Sequence, residues 1–179
     1  MRVNHAGRNI DDWTGFSQRA KRAAVSSGLP SDLAGQVVSA LDELLSNVLE
    51  HSRAPGSGYV AYAQGNQMFE VIVVDEGVGV LSSLKSSADY NHLLDHGDAL
   101  KQFIKEGVSR FGKDSGRGMG FRPLFRGLAN AQCALRFRSG DHALEIDGRE
   151  LAKAPAELRQ TVFIKGLICS INCHHHKPQ

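Results

Sequence analysis

The run Val71-Ile72-Val73-Val74-Asp75-Glu76-Gly77-Val78-Gly79 sets an acid and two glycines directly behind four β-branched residues. Four such residues in a row read as a buried strand. A carboxylate at the end of that strand is held rigidly at the sheet edge, and the glycines let the backbone turn close to a flat ligand. An acidic turn after a strand is common, so the motif gains its weight only from what flanks it.

Working back toward the N-terminus, Tyr59-Val60-Ala61-Tyr62 reads as a strand, Gly65-Asn66 as a turn, and Met68 to Val74 as the returning strand of an antiparallel hairpin. Arg53 to Gly58, with Pro55, Gly56, Ser57 and Gly58, is a loop. Before it lies the most informative helix. Ser31 is placed to cap it with Asp32 in its first turn, and it runs to about Ser52. Leu33, Val37, Leu41, Leu44, Leu45 and Val48 form its apolar stripe. Glu43, Asn47 and His51, spaced i, i+4, i+8, line up along another stripe. Those three are either a solvated polar face or an acid, an amide and an imidazole turned toward one ligand. A carboxylate can serve as a general base, and an amide oxygen is a hard ligand suited to Mg²⁺. An earlier helix spans about Asp11 to Ser26, capped by Asp11 or Asp12, with Trp13, Phe16, Ala20, Ala23 and Ala24 on one face; Gly28-Leu29-Pro30 stops it. Residues 1 to 9 read as polar and loose.

Beyond Val80 the periodicity fades. Leu81 to Asn91, rich in Ser and Lys, reads as a mobile segment, with a short helical pattern at Asp98 to Glu106. A long irregular connection within a compact domain is usually functional, often a lid; a disordered insertion is the alternative. Gly116-Arg117-Gly118-Met119-Gly120-Phe121 then opens a helix reaching about Asn130. Free N–H groups at such a helix start suit a phosphate, and Lys113 and Arg117 add positive charge. Leu135, Phe137 and then Ala143, Leu144, Ile146 suggest two strands around a Ser139-Gly140-Asp141 turn. Glu150 to Gln160 reads as a connection, and Thr161 to Ile168 as a last strand.

The whole chain is consistent with one domain. It has 179 residues, 41% hydrophobic and 22% charged, with a net charge of +2. That balance argues against nucleic acid or an anionic membrane as partner. No apolar run is long enough to span a bilayer, and the N-terminus does not read as a signal peptide. The three cysteines, Cys133, Cys169 and Cys173, do not form an even disulfide framework, so a reducing cytoplasm is the expected setting. Cys169, Cys173 and His174 to His176 could bind a transition metal, but a buried strand cysteine followed by a polar tail is preferred. Two decoys are set aside. Gly107 to Asp114 approaches a P-loop but carries Asp114 where Ser or Thr should meet Mg²⁺, and no buried strand leads into Gly116 to Gly120 as a Rossmann turn requires.

Three boxes in order carry a resemblance. Ala40 to His51 resembles the N box of the superfamily of gyrase, Hsp90, histidine kinase and MutL ATPases. Val73 to Gly79 resembles its Asp-x-Gly-x-Gly box, and Gly116 to Phe121 its second glycine box. The resemblance implies an α/β (α+β) two-layer sandwich, with a mixed, mostly antiparallel sheet, helices on one face and a mobile ATP lid. The implied domain covers residues 11–170, with the lid at about 80–116, a flexible N-terminus over 1–10 and a polar tail over 171–179. It further implies that Asp75 accepts a hydrogen bond from the adenine amino group, that Gly77 and Gly79 let the backbone pass the base, and that Asn47 holds Mg²⁺. By the same resemblance Glu43 acts on the attacking nucleophile, Gly116, Gly118 and Gly120 wrap the phosphates with Lys113 and Arg117 nearby, and Thr161 supports Asp75. His51 is read as a pocket or lid residue rather than a base. ATP and Mg²⁺ are the implied cofactors. Within the superfamily the chain most resembles the small stand-alone kinase-like domains, the anti-sigma-factor serine kinases and the isolated catalytic domains of histidine kinases. The Glu43, Asn47, His51 pattern favours the anti-sigma side, which implies a regulatory kinase acting on a partner protein, with homodimerisation left open. A slow ATPase and a nucleotide-gated interaction module are the alternatives.

Overall fold

The computed structural model describes residues 2–3, 10–106, 128, 133–148 and 156–174. Two helices lead. α1 (Ile10–Ser26) buries Phe16, Ala20, Ala23 and Ala24, as the predicted stripe requires, with Trp13 packed at its edge. It begins before Asp11 and Asp12, so those residues fall in its first turn rather than capping it. α2 (Ser31–His51) likewise starts at Ser31, with Pro30 at the N-cap and no side-chain cap bond. Its stripe from Val37 to Val48 is fully buried.

The strands β1 (Arg2–Val3), β2 (Gly58–Gly65), β3 (Met68–Asp75), β4 (Cys133–Asp147) and β5 (Glu157–His174) form one sheet in the order β1-β2-β3-β5-β4. Every neighbouring pair is antiparallel, so the described sheet contains no parallel pair of the kind a mixed sheet would show. Helices cover one face, giving the two-layer α+β sandwich expected. Arg2 and Val3, expected to be loose, pair with Tyr59 and Gly58 as an edge strand.

β3 alternates in burial: Phe69, Val71, Val73 and Asp75 face the helices, while Ile72 and Val74 are only partly covered. The run Val71–Val74 is therefore a one-sided strand, not one buried on both faces. Its parity carries Asp75 onto the helix-covered face, and this places the site. A train of rings, Trp13, Phe16, Tyr62 and Phe69, with neighbouring centroids 5.4 to 5.8 Å apart, joins α1 to the sheet.

Three departures from the sequence reading have physical causes. The expected turn at Ser139-Gly140-Asp141 is a β-bulge within a single strand. Gly140 takes φ +61° and pairing with β5 continues on both sides of it. Consequently β5 begins at Glu157, inside the stretch read as a connection. The segment Leu81 to Asn91, expected to be mobile, is folded into the end of α3 (Gly79–Leu84) and a 3₁₀ turn at Ala88–Tyr90, while the short helical pattern expected at Asp98 to Glu106 is α4 (His96–Glu106). Val80, Leu84, Leu93, Ala99 and Leu100 are buried, and Phe103 meets Phe137 edge-on at 5.7 Å. Leu100 and Phe103 belong to the expected helical pattern, whereas Val80, Leu84 and Leu93 are too few and too scattered to reveal the folded stretch before it. Finally, Cys133 and Cys173 stand opposite each other on β4 and β5, with Cα atoms 4.3 Å apart, and are joined by a disulfide. Only Cys169 is free, and burial pushes its thiol far above the ordinary range. The cysteines expected to stay free, or to offer a metal two thiols near the tail, are thus otherwise engaged.

Candidate functional site

Asp75 ends β3 with 4% of its surface exposed. Its Oδ1 accepts the Gly77 N–H at 2.7 Å, closing an Asx turn that directs the chain toward α3. Burial raises the carboxyl above its ordinary pKa, with the Gly77 bond pulling the other way.

The two glycines of this turn are required by the protein itself. A Cβ on Gly77 would come within 2.6 Å of the Ser52 Cβ and 2.7 Å of Asp75 Oδ1. The close approach lets Val78 donate its N–H to the Ser52 carbonyl at 2.9 Å, fastening the turn to the end of α2. Gly79 has φ +75°, and its Cβ would stand 2.9 Å from Ser139 Oγ.

Three residues that sequence reasoning missed complete the base of the site. Gly166, at φ +78°, lies against Asp75, where a Cβ would overlap the Asp75 carbonyl oxygen. Ser139, 1% exposed, donates to the Gly166 carbonyl at 2.7 Å and accepts the Val80 N–H at 3.0 Å. Leu167 pairs with Asp75 and lines the cavity. The only sequence signal for them was a glycine inside an apolar strand, between Ile164 and Leu167, which marks a bulge or a close backbone approach.

Above Asp75 opens a partly enclosed cleft. α2 contributes Asn47, Val48 and His51 to its wall. Gly79, Val80, Ser83 and Leu84 of α3 face them, and Tyr90, Phe103 and Leu167 close it. The lining combines apolar and aromatic surface with one buried acid, an amide, an imidazole and the serines Ser83, Ser86 and Ser87. That mixture suits a flat aromatic ligand carrying a polar edge.

Of the expected site residues, Asn47, Asp75 and Gly79 meet in this cavity, and Gly77 shapes the turn beneath it. Glu43 does not line it. One helical turn before Asn47, it lines a separate recess between α1 and α2 with Trp13, Thr14, Ser17 and Asp42. There burial, then Asp42, then Glu50 raise its pKa. Thr161 is not brought to Asp75. It lies six residues before Leu167 on β5, up to roughly 20 Å along an extended strand. Lys113, Gly116, Arg117, Gly118 and Gly120 lie outside the described residues, as does the near-P-loop at 107–114.

Against known proteins, a family profile described as the histidine kinase-like ATPase domain matches residues 10–131. The chain belongs to this family. The match takes in both leading helices, the Asp75 turn and the whole stretch to Gly116–Gly120. It is accordingly an ATP-binding domain of the gyrase, Hsp90, histidine kinase and MutL type, and the Asp75 turn and the α2 and α3 walls of the cavity fall within the matched stretch. No curated protein matches the chain. Among the described residues, no helix of this ATPase domain is long and apolar enough to cross a membrane.

Proposed function

We propose that this histidine kinase-like ATPase domain is a Mg²⁺-dependent regulatory kinase that passes the γ-phosphate of ATP to a serine hydroxyl of a partner protein. The observation that carries the reading is Asp75. It is a buried carboxylate at the floor of the cavity, with Oδ1 held by Gly77 and the remaining oxygen free to meet an amino group of adenine. Apolar Val80, Leu84 and Leu167 sandwich the base.

Asn47 fits a Mg²⁺ ion by donor chemistry, since its amide oxygen is a hard ligand on the same wall. When bound, the ion neutralises phosphate charge. The glycines Gly116, Gly118 and Gly120, with Lys113 and Arg117, are assigned to the phosphates by family resemblance. Glu43 takes the hydroxyl proton as the serine oxygen attacks the γ-phosphorus. The bond from that phosphorus to the β–γ bridging oxygen breaks, and ADP leaves. The raised pKa of Glu43 suits a base working nearer neutrality.

The test is transfer of radiolabelled γ-phosphate from ATP to co-purified partner proteins. Glu43→Gln should abolish transfer while leaving ATP binding intact. A second reading rests on the position of Glu43 outside the cavity: a domain in which nucleotide orders a partner-binding surface without phosphoryl transfer. Partner binding that depends on ATP and survives Glu43→Gln, with no labelled product, would favour it.

A further inference from the structure

Away from the nucleotide pocket, two imidazoles converge on one carboxylate. His96 opens α4, and Asp141 and His142 follow the Gly140 bulge of β4. His96 Nδ1 and His142 Nδ1 each lie 2.8 Å from Asp141 Oδ1, and the three ligand atoms all fall within 4.8 Å of one another. The side chains are partly exposed, at 30%, 17% and 34%. That leaves room for an ion to enter and for water beside it.

Glycines permit this convergence. A Cβ on Gly140 would stand 2.6 Å from His96 Nδ1, and one on Gly97 would stand 2.8 Å from His142 Cδ2. Each ring therefore occupies space that a side chain would take. The Phe163 ring meets His96 edge-on at 5.8 Å. Gln160 Nε2 lies 3.4 Å from the second carboxylate oxygen, as an outer partner that orients the acid. The hydrogen bonds from His142 and His96 hold the Asp141 carboxyl down at about 2, so it is ionised under all ordinary conditions.

We propose that His96, Asp141 and His142 form a binding site for Zn²⁺ or a closely related divalent transition metal, with water completing the coordination. Two imidazoles and a carboxylate make a three-ligand set of the kind zinc takes with an open position. Tetrahedral ligands at about 2.0–2.2 Å stand roughly 3.3 Å apart. The two 2.8 Å edges need to open by about half an ångström, and the edge between the imidazoles, within 4.8 Å, to settle near the same 3.3 Å. Imidazole donors disfavour the hard cations Mg²⁺ and Ca²⁺, so the site is chemically separate from any Mg²⁺ held with nucleotide. Its ligands come from both layers. The metal would staple the start of α4 to the β4–β5 hairpin. Phe103, about 10 Å further along α4, lines the nucleotide pocket, so the staple would brace one of its walls.

The experiment titrates Co²⁺, a visible-absorbing stand-in for Zn²⁺, into the full chain. His174-His175-His176 is a second possible binder, so the reference protein carries His174→Ser, His175→Ser and His176→Ser. The expected result is one equivalent of Co²⁺ with d–d absorption, displaced by Zn²⁺, and a rise in melting temperature with Zn²⁺. His142→Ala should weaken binding by roughly 100-fold or more, beyond the loss typical of an outer partner. Asp141→Asn, which keeps the shape of the side chain, should abolish the absorption band while circular dichroism stays unchanged. The proposal is overturned if the reference protein binds no stoichiometric Co²⁺, or if binding is unaltered in both variants.

Discussion

Gly166→Ala is the most informative single substitution at the proposed nucleotide site. At φ +78° an alanine carries the left-handed penalty of about 1–2 kcal/mol. Its Cβ would also overlap the Asp75 carbonyl oxygen and stand 2.7 Å from the Asp75 carbonyl carbon and 2.9 Å from Oδ1. All are atoms of the neighbouring strand or of the turn-closing carboxylate, and none is the far end of a flexible chain. Relief requires β3 and β5 to part at their last pair, Asp75 with Leu167. It also strains the Ser139 bond to the Gly166 carbonyl. Losing about two hydrogen bonds, at about 1 kcal/mol each, brings the total to about 3–4 kcal/mol. For a chain of this size that is a drop of about 6–16 °C in melting temperature. Because the displaced group is Asp75, nucleotide affinity should fall further than stability alone accounts for. Differential scanning calorimetry and ADP titration of the same samples separate the two effects. Gly56→Ala, whose Cβ meets nothing within 4 Å, is the control. A Gly166→Ala protein within 1 kcal/mol of wild type that binds ADP normally would refute the claim that this glycine seats the acid.

Other predictions follow from the same geometry. Reducing Cys133–Cys173, or replacing both by serine, removes a cross-link spanning 40 residues, worth about 4 kcal/mol in the chain-entropy account; a denaturant midpoint unchanged by reductant would contradict it. The raised pKa of Asp75 means the folded state holds that proton more tightly than the unfolded chain. Its contribution to stability is therefore lost as pH rises from about 4 through the folded pKa. Asp75→Asn should consequently melt no lower than wild type at pH 7, with any gain fading toward pH 4, and a large loss at neutral pH would show that the ionised form is stabilised instead. The acid limb of any turnover should follow Glu43, and Glu50→Gln, by removing a raising charge, should move that limb to lower pH; a limb that stays in place would detach Glu43 from the chemistry.

The elements that were readable in the sequence share a simple period. α2 shows its stripe from Val37 to Val48 because one face meets the sheet over its whole length. The β2–β3 hairpin shows because alternation and turn residues agree. Asp75 could be picked out because a run of four β-branched residues leads directly into it and two glycines follow. What escaped reading depends on contacts distant in sequence. Gly140 looked like a turn because a bulge and a turn use the same residue; only β5, pairing on both sides of it, distinguishes them. Gly166, Ser139 and Ser52 meet Asp75 or its turn across 87 to 91, 59 to 64 and 23 to 26 positions of chain, respectively, and no local pattern reports such meetings. The disulfide follows from register, which the cysteine count alone does not give. Thr161 was assigned by resemblance to a strand threonine, and β5 instead runs on so that Leu167 stands opposite Asp75.

The measurement that bears most directly on the central claim is a calorimetric titration of ADP and a non-hydrolysable ATP analogue, with and without Mg²⁺, into wild type and Asp75→Asn. The account predicts binding to wild type that strengthens with Mg²⁺ and is lost in Asp75→Asn while the fold is retained. Undetectable binding to wild type, or equal binding by the variant, would contradict it.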